Sequence, residues 1–411
     1  MKISFRREDM KPNHIYSQIS ILALLCLIMI LGCEYDKAYE PVWKWDEEFI
    51  KPEITGVEPD SAFEGITEIK IIGHHFSTEI EKNVVYFGIE KGVIQNLSDT
   101  CLSVIRPIRI SGSLMIKLSV QDLFYTAEYG PYKLEEGIVR VGEGLNKVGA
   151  IAMDADENVY AYQNNTNIVY QITPDGELLE YGSLNVTISA MRMGSDGYLY
   201  LQRSNRKELY RIAPDGGGEV EEFIQLIRPV SCFDFDEDGY IYSGGKIYGL
   251  CVTNPDGSNS RIVEQYEKLT VKAVRVFKEY VYVAVDTAIG DQFRGRAIYR
   301  YEILGNGSLG NKDLYYDWFD SGIYSGTSIQ DFTFSEEGDM VVATESLNGN
   351  MDPIITIRSD NQLEVLYEGV FEPPVTCLCW GNGNYIYMIA TEDAVVSRAI
   401  MGKKGAVYYG R

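Results

Sequence analysis

The sequence predicts an all-β chain: an Ig-like β-sandwich followed by a six-bladed β-propeller. Three observations predict it. First, one motif is stated six times from about residue 136 onward, a short apolar strand, an Asp/Asn/Gly turn and a Tyr-rich strand. The copies read IAMDADENVYAY, MRMGSDGYLYL, FDFDEDGYIYS, VRVFKEYVYVAV, FTFSEEGDMVVAT and LCWGNGNYIYMIA. Their turns fall near Asn158, Gly197, Gly239, Glu279, Gly338 and Gly383, at spacings of 39, 42, 40, 59 and 45 residues. A self-similar unit of about 40 residues with four strand-like segments marks a propeller blade. Second, residues 51–134 alternate apolar and polar at the strand period and show no helical periodicity of useful length. Third, the chain carries 30 Tyr, a residue suited to pleated, half-buried strands.

The segments follow in order. Lys2, Arg6, Arg7 and Lys11 precede an unbroken apolar run over 21–31. Eleven residues cannot span about 30 Å of hydrocarbon as a helix, but they fit the apolar stretch of a secretory signal. The run ends in Ile30-Leu31-Gly32-Cys33, which resembles the bacterial lipobox. That resemblance implies a signal peptide over 1–32, lipidation at Cys33 and a lipid anchor. Glu34-Tyr35-Asp36 looks like the export signal of surface lipoproteins in Bacteroidetes-type bacteria, which implies the outer membrane or cell surface. Residues 33–50, with Trp43 and Trp45, read as a tether.

Formal charge is −23, from 60 acidic against 37 basic residues, and losing 1–32 makes it more negative still. So acidic a chain lacks the basic footprint of a nucleic-acid binder and would not dock loosely on anionic lipid. Of seven Cys, five (Cys101, Cys232, Cys251, Cys377 and Cys379) are scattered through predicted strands with no C-x-x-C pair. They read as small buried residues rather than a redox or metal site.

Residues 51–134 hold six or seven short strands, as a β-sandwich does. Pro52, Ile54 and Pro59, then Gly73-His74-His75-Phe76 and Val85-Tyr86-Phe87-Gly88, resemble the IPT/TIG immunoglobulin-like domain, which implies a spacer or docking module. Neighbouring residues on a strand point to opposite faces, so the adjacent His74 and His75 read as turn residues and not as metal ligands.

From 135 to 411 the fragments after each turn complete the blades. Pro174-Asp175-Gly176, Pro214-Asp215-Gly216 and Pro255-Asp256-Gly257 supply hairpin turns with preset φ at Pro and positive φ at Gly. The repeats resemble NHL-type six-bladed propellers. Together with the lipoprotein signal and the TIG-like unit, they look like a group of Bacteroides-type lipoproteins, which implies a role in glycan capture. Two segments compete to be the strand that closes the ring: Glu136–Leu145 ahead of the first blade, or Ala406–Tyr409 after the last.

For chemistry, no G-x-S-x-G, H-E-x-x-H or P-loop is present. With no His in the repeats, a Ser-His-Asp arrangement there is excluded. Asp234-Phe235-Asp236-Glu237-Asp238-Gly239 opens like an EF-hand loop, but its twelfth position is Gly245 rather than Glu, so it reads as the repeat's own turn. Aligning the inner strands stacks Ala152, Arg192, Asp234, Arg275, Thr333 and one of Leu378 or Cys379. Because buried charges need partners, these read as an ion-pair network across blades 2 to 4, or as a lining for the channel mouth. Some six-bladed propellers are metal-dependent lactonases using Glu, Asn and Asp at the axis, but no clear matching set stands out.

The turns after each Tyr-rich strand share one face with the links between blades, and this face collects Arg and Asn. Arg203, Asn205, Arg206, Arg228, Gln292, Arg294, Arg296, Tyr324 and Asn348 are the candidate ligand-binding residues. Guanidinium, amide and aromatic groups suit a hydroxyl- or carboxylate-bearing ligand, and loops on a rigid scaffold carry function. The sequence thus suggests a cell-surface lipoprotein that binds a glycan or similar polar ligand without catalysis or cofactor. A protein–protein scaffold in an outer-membrane complex and a metal-dependent hydrolase or lyase are the alternatives.

Overall fold

The computed structural model describes residues 51–409 apart from 106–109, 122, 124, 215, 217–218, 247–248, 265–268, 288–294, 346–350, 366, 368–369 and 372. The expected signal, Cys33 and the tether lie outside the described residues, as do Gln292, Arg294 and Asn348. The fold is all-β, an Ig-like sandwich and a six-bladed propeller. Among the described residues no helix is long and apolar enough to cross a membrane.

One sandwich sheet orders its strands Glu53–Glu58, Glu68–His74, Cys101–Ile105 and Val93–Leu97. The other runs Ser61–Phe63, Thr126–Glu135, Gly112–Val120, Asn83–Phe87 and Glu90–Lys91. Strict alternation decides which side chains enter. Along Glu68–His74, Ile69 and Ile71 are fully buried while Glu68, Lys70 and His74 face water. Val85, Phe87, Leu102, Val104, Ile116 and Leu118 complete the core, each contributing about 1.5–3 kcal/mol by its burial. Tyr132 enters the same core and donates its hydroxyl to the Pro59 carbonyl at 3.0 Å. Both His74 and His75 are exposed, at the end of a strand and in the turn after it. His75 has φ 62° and its ring Nδ1 lies 3.0 Å from the Lys51 carbonyl.

Each blade is a four-stranded antiparallel sheet, numbered 1 to 6 in chain order, with its first strand innermost. The inner strands are Val148–Met153, Ile188–Met193, Cys232–Phe235, Leu269–Phe277, Ser328–Phe334 and Val375–Trp380. Blade 4's main path also includes the short hairpin strand Ser308–Leu309, and its outer strand Asp313–Asp317 pairs beside it. Apolar side chains on both faces of a blade pack against its neighbours, so the inner strands of blades 1 to 3 are buried almost throughout. Blades 4 and 5, for instance, share a cluster in which Phe277 and Phe334 stack with ring centroids 4.3 Å apart.

The turn chemistry explains the repeat's Asp and Tyr. Tyr160 donates its hydroxyl to Asp154 at 2.9 Å, Tyr200 to Asp196 at 2.7 Å and Tyr242 to Asp236 at 2.8 Å. The Asp236 carboxylate of the calcium-like sequence is therefore engaged by its own turn, where it also accepts from the Tyr240 amide at 2.8 Å.

Ile138–Arg140 pairs antiparallel with Val395–Ile400 as the outer strand of blade 6, with Val139 opposite Arg398. Of the two candidate closing strands, the N-terminal one closes the ring, which removes an open sheet edge. Ala406–Tyr409 goes to the axis instead.

The sandwich is bound tightly to blade 6. Glu64 is buried and accepts the amides of Ile110 at 3.2 Å and Gly137 at 3.3 Å. Tyr367, fully buried, donates to the Ile400 carbonyl at 2.7 Å. Its ring leaves no space at Gly65, where φ is 89° and an added Cβ would overlap Tyr367 Cε1.

Candidate functional site

Two ends of the propeller axis differ, and the inner strands show why. Register places Ala152, Arg192, Asp234, Arg275, Thr333 and Cys379 opposite Tyr160, Tyr200, Tyr242, Tyr282, Val341 and Tyr387. Cys379, not Leu378, therefore continues the row. The adjacent row, two residues earlier on each strand, is Ala150, Ala190, Cys232, Ala273, Asp331 and Cys377. These are mostly small residues that leave room for the two long guanidinium side chains.

Asp331 is the member that aligning the repeats misses. Arg275 Nη2 contacts both of its oxygens at 2.6 and 2.7 Å, and the Phe332 and Leu378 amides donate to it at 2.9 and 3.0 Å. Asp234, completely buried, accepts the amides of Phe235 at 3.0 Å and Val276 at 2.8 Å, with Arg192 Nε 3.8 Å away. Burial pushes the Asp234 carboxyl up to about 6, opposed by Arg192, the Tyr408 hydroxyl and those two amides. The ionic set thus comprises two pairs, Arg192 with Asp234 and Arg275 with Asp331, across blades 2 to 5. It reaches one blade further than expected because its last carboxylate comes from the neighbouring row.

Residues 402–409 cross this end of the axis. The Glu336 amide donates to the Lys404 carbonyl at 2.9 Å, the Gly405 amide to Gly383 at 3.2 Å and the Ala406 amide to Phe334 at 3.0 Å. Lys403 pairs with Asp339, and the Tyr408 hydroxyl donates to Asp234. Tyr409 donates to the Lys278 carbonyl at 3.3 Å. Beside Tyr408 a cavity of about 30 Å³ persists, lined by Arg192, Met193, Phe277, Phe334 and Trp380, room for roughly one water.

The opposite end carries the turns after the second strands and the links between blades, where the described candidate residues sit. At the corner of blade 2, Arg203 Nη1 donates to Glu208 at 2.7 Å. Against the penalty of burial, backbone amides and Arg203 hold the Glu208 carboxyl below its ordinary range. Asn205 takes φ 51° at the tip of the turn. Arg206 lies opposite Val230, two residues from Arg228, and both arginines are exposed. Arg203, Asn205, Arg206 and Arg228 therefore share one corner.

Arg296 and Tyr324 do not join them. Arg296 Nε pairs with Asp286 at 2.5 Å and its Nη1 donates to the Thr327 carbonyl at 2.9 Å. Tyr324 is 4% exposed and packs in the core around Trp318, whose Nε1 donates to the Tyr324 carbonyl at 3.0 Å. The expectation of a ligand-facing Tyr324 is corrected: both residues pin down the link Trp318–Gly326. The same link instead presents Phe319 and Ile323, 70% and 75% exposed. These two are absent from the residues expected from sequence, although an apolar run in a link between blades is the available signal.

Among the described residues no three His, Cys, Asp or Glu side chains converge as metal ligands. The axial carboxylates are already engaged by guanidinium and backbone N–H groups. The five described cysteines are thiols rather than disulfides, Cys232 and Cys251 buried and the other three half-buried.

Residues 52–134 match the IPT/TIG domain family. No curated protein matches the chain. Among solved structures, an auxiliary nutrient binding protein from Bacteroides thetaiotaomicron VPI-5482 superposes with TM-score 0.51 at 10% identity, covering 85% of this chain and 97% of that one. A luciferin-regenerating enzyme gives TM-score 0.52 at 15% identity over 66% of this chain and 98% of its own. An auxiliary nutrient binding protein from Bacteroides ovatus ATCC 8483 gives TM-score 0.47 at 12% identity, over 85% and 97%. At such identities the likeness concerns the fold, which serves a binding protein and an enzyme alike; by sequence residues 52–134 are an IPT/TIG domain, and the structure sets it before a six-bladed propeller.

Proposed function

We propose that this protein is a lipid-anchored outer-membrane or cell-surface binding protein without catalytic activity. It holds a glycan or other polar ligand on the propeller face formed by the second-to-third-strand turns and blade links, and the IPT/TIG unit acts as a fixed spacer. The observation that carries this reading is the asymmetry of the axis. One end is filled by residues 402–409, whereas the other bears exposed Arg206 and Arg228 at one corner of blade 2. Guanidinium groups in turns recognise carboxylate and hydroxyl groups with directional hydrogen bonds. The lipobox-like Ile30–Cys33 and the Glu34–Asp36 stretch support the address, and the NHL-like repeats support the glycan class. Paired Arg206→Ala and Arg228→Ala changes should weaken retention on a glycan array at least tenfold while leaving the melting temperature unchanged; undiminished retention sinks the reading.

Exposed Phe319 and Ile323 on the same face favour a second reading, a scaffold that docks a protein partner. Co-purification of a membrane protein, lost on Phe319→Asp, together with an empty glycan array would select it.

A further inference from the structure

Among equivalent arginines of the blades, one guanidinium lacks the counter-ion that the others have. In blade 2, Arg211 lies over the Tyr198 ring at 4.4 Å and is paired with Glu221, which faces it across the register of the outer strand. In blade 4, Arg300 lies over Tyr280 at 4.9 Å and is paired at 2.8 Å with Asp313, again its outer-strand neighbour. Arg398 occupies the same place in blade 6, opposite Tyr387 as Arg211 is opposite Tyr200 and Arg300 opposite Tyr282. Its guanidinium lies over Tyr385 at 4.7 Å. But the outer strand of blade 6 comes from the segment joining the two domains, and it puts Val139 opposite Arg398 where blades 2 and 4 put an acid. Among the described residues no carboxylate stands within ion-pair distance, and Arg398 Nε is buried with no hydrogen-bond partner.

The orphan faces a groove of about 700 Å³ between blade 6 and the sandwich, lined also by Tyr385, Val139, Lys133, Ser111 and Ser113. That volume suits a small ligand, and the groove is held in shape by the Glu64 and Tyr367 contacts. Glu135 and Glu136 line the groove as well, but Glu135 is paired with Lys133 at 2.8 Å and Glu136 accepts from Ser111 at 3.3 Å, so groups of the sandwich already engage both acids. An arginine without its acid beside an aromatic ring matches a ligand carrying a carboxylate on a sugar-like ring: the guanidinium takes the carboxylate and the hydroxyls reach the serines.

We propose that this groove is a second binding site, specific for carboxylate-bearing saccharides of the uronic acid type, with Arg398 as its anion-binding residue. It is independent of the face proposed above, since it lies at the domain joint. The test titrates the folded protein with glucuronate and, as a matched neutral probe, glucose, following chemical shifts by NMR. Wild type should bind glucuronate and not glucose. Arg398→Gln should lose glucuronate binding at least tenfold. So should Val139→Glu, which supplies the acid that blades 2 and 4 possess and keeps the blade folded by internal pairing. Arg211→Gln, at the equivalent arginine already paired with Glu221, should leave glucuronate binding unchanged. Absence of glucuronate binding in wild type, equal binding of glucose, or binding that survives Val139→Glu overturns the proposal. Equal loss on Arg211→Gln would show that the groove arginine is not specific for the uronate, also overturning it.

Discussion

Arg275 and Asp331 set the energetic tone at the level of single residues. Their ion pair is buried, so its net contribution is modest, but removing one partner strands a charge in the interior. Arg275→Leu is expected to cost about 3–5 kcal/mol, measured by urea denaturation. The double change Arg275→Leu with Asp331→Leu should recover part of the loss. Asp234 carries a pH signature. Its carboxyl is raised to about 6 by burial, so between its unfolded value near ~4 and about 6 the folded state holds the extra proton. Its contribution to stability is therefore complete below about 4 and is lost as pH rises through 6. A gap of about 2 between the folded and unfolded values bounds this contribution at roughly 3 kcal/mol. Asp234→Asn should flatten the change in melting temperature between about pH 4.5 and 7.5, and an unchanged slope would refute the assignment.

At the level of elements, the closing strand and the domain joint are where local changes should propagate. Ile138–Arg140 contributes no large core side chain, yet it completes blade 6. Val139→Pro removes a ladder donor and should lower stability by about 1–3 kcal/mol, with blade 6 becoming the first site of limited proteolysis. Gly65 meets the joint's tightest contact. Its positive φ and the Tyr367 ring against it both oppose a side chain, so Gly65→Ala should loosen the sandwich from blade 6. Faster hydrogen exchange at the Gly137 amide, which donates to Glu64, is the expected readout.

Across the whole molecule, residues 402–409 fill one end of the ring, and the turns after the second strands lie at the other. Deleting residues 402–411 should leave the six blades assembled, because none of their sheets includes that segment. It should speed exchange of the Val276 and Phe235 amides that hold Asp234 while sparing the second strand of blade 1, Val159–Gln163. Equal protection in the deleted protein would show that the segment merely rests on the surface. The turn face and the joint groove are then the two places proposed for polar ligands.

Much of this is legible in the chain itself. Periodicity alone counts the blades, since each copy repeats a strand, a tight turn and a second strand; in blades 1 to 3 the turn's Asp meets a Tyr hydroxyl each time. Alternation in 51–134 separates inward Ile69 and Ile71 from their solvent-facing neighbours. Composition lacks the basic footprint of a nucleic-acid binder, and the Asp236 bonds account for the Asp of the calcium-like sequence within its own turn. Tertiary structure decided what repeats cannot encode, namely contacts between residues far apart in the chain that follow no period. It put Asp331 beside Arg275, turned Tyr324 into the core, and closed the ring with Ile138–Arg140 while Tyr408 went to the axis. It also set Val139 where an acid would have been, leaving Arg398 without its carboxylate. A repeat specifies each blade from within, but the outer strand of blade 6 is borrowed from outside the repeat, so its side chains were never bound by the pattern that pairs the other arginines.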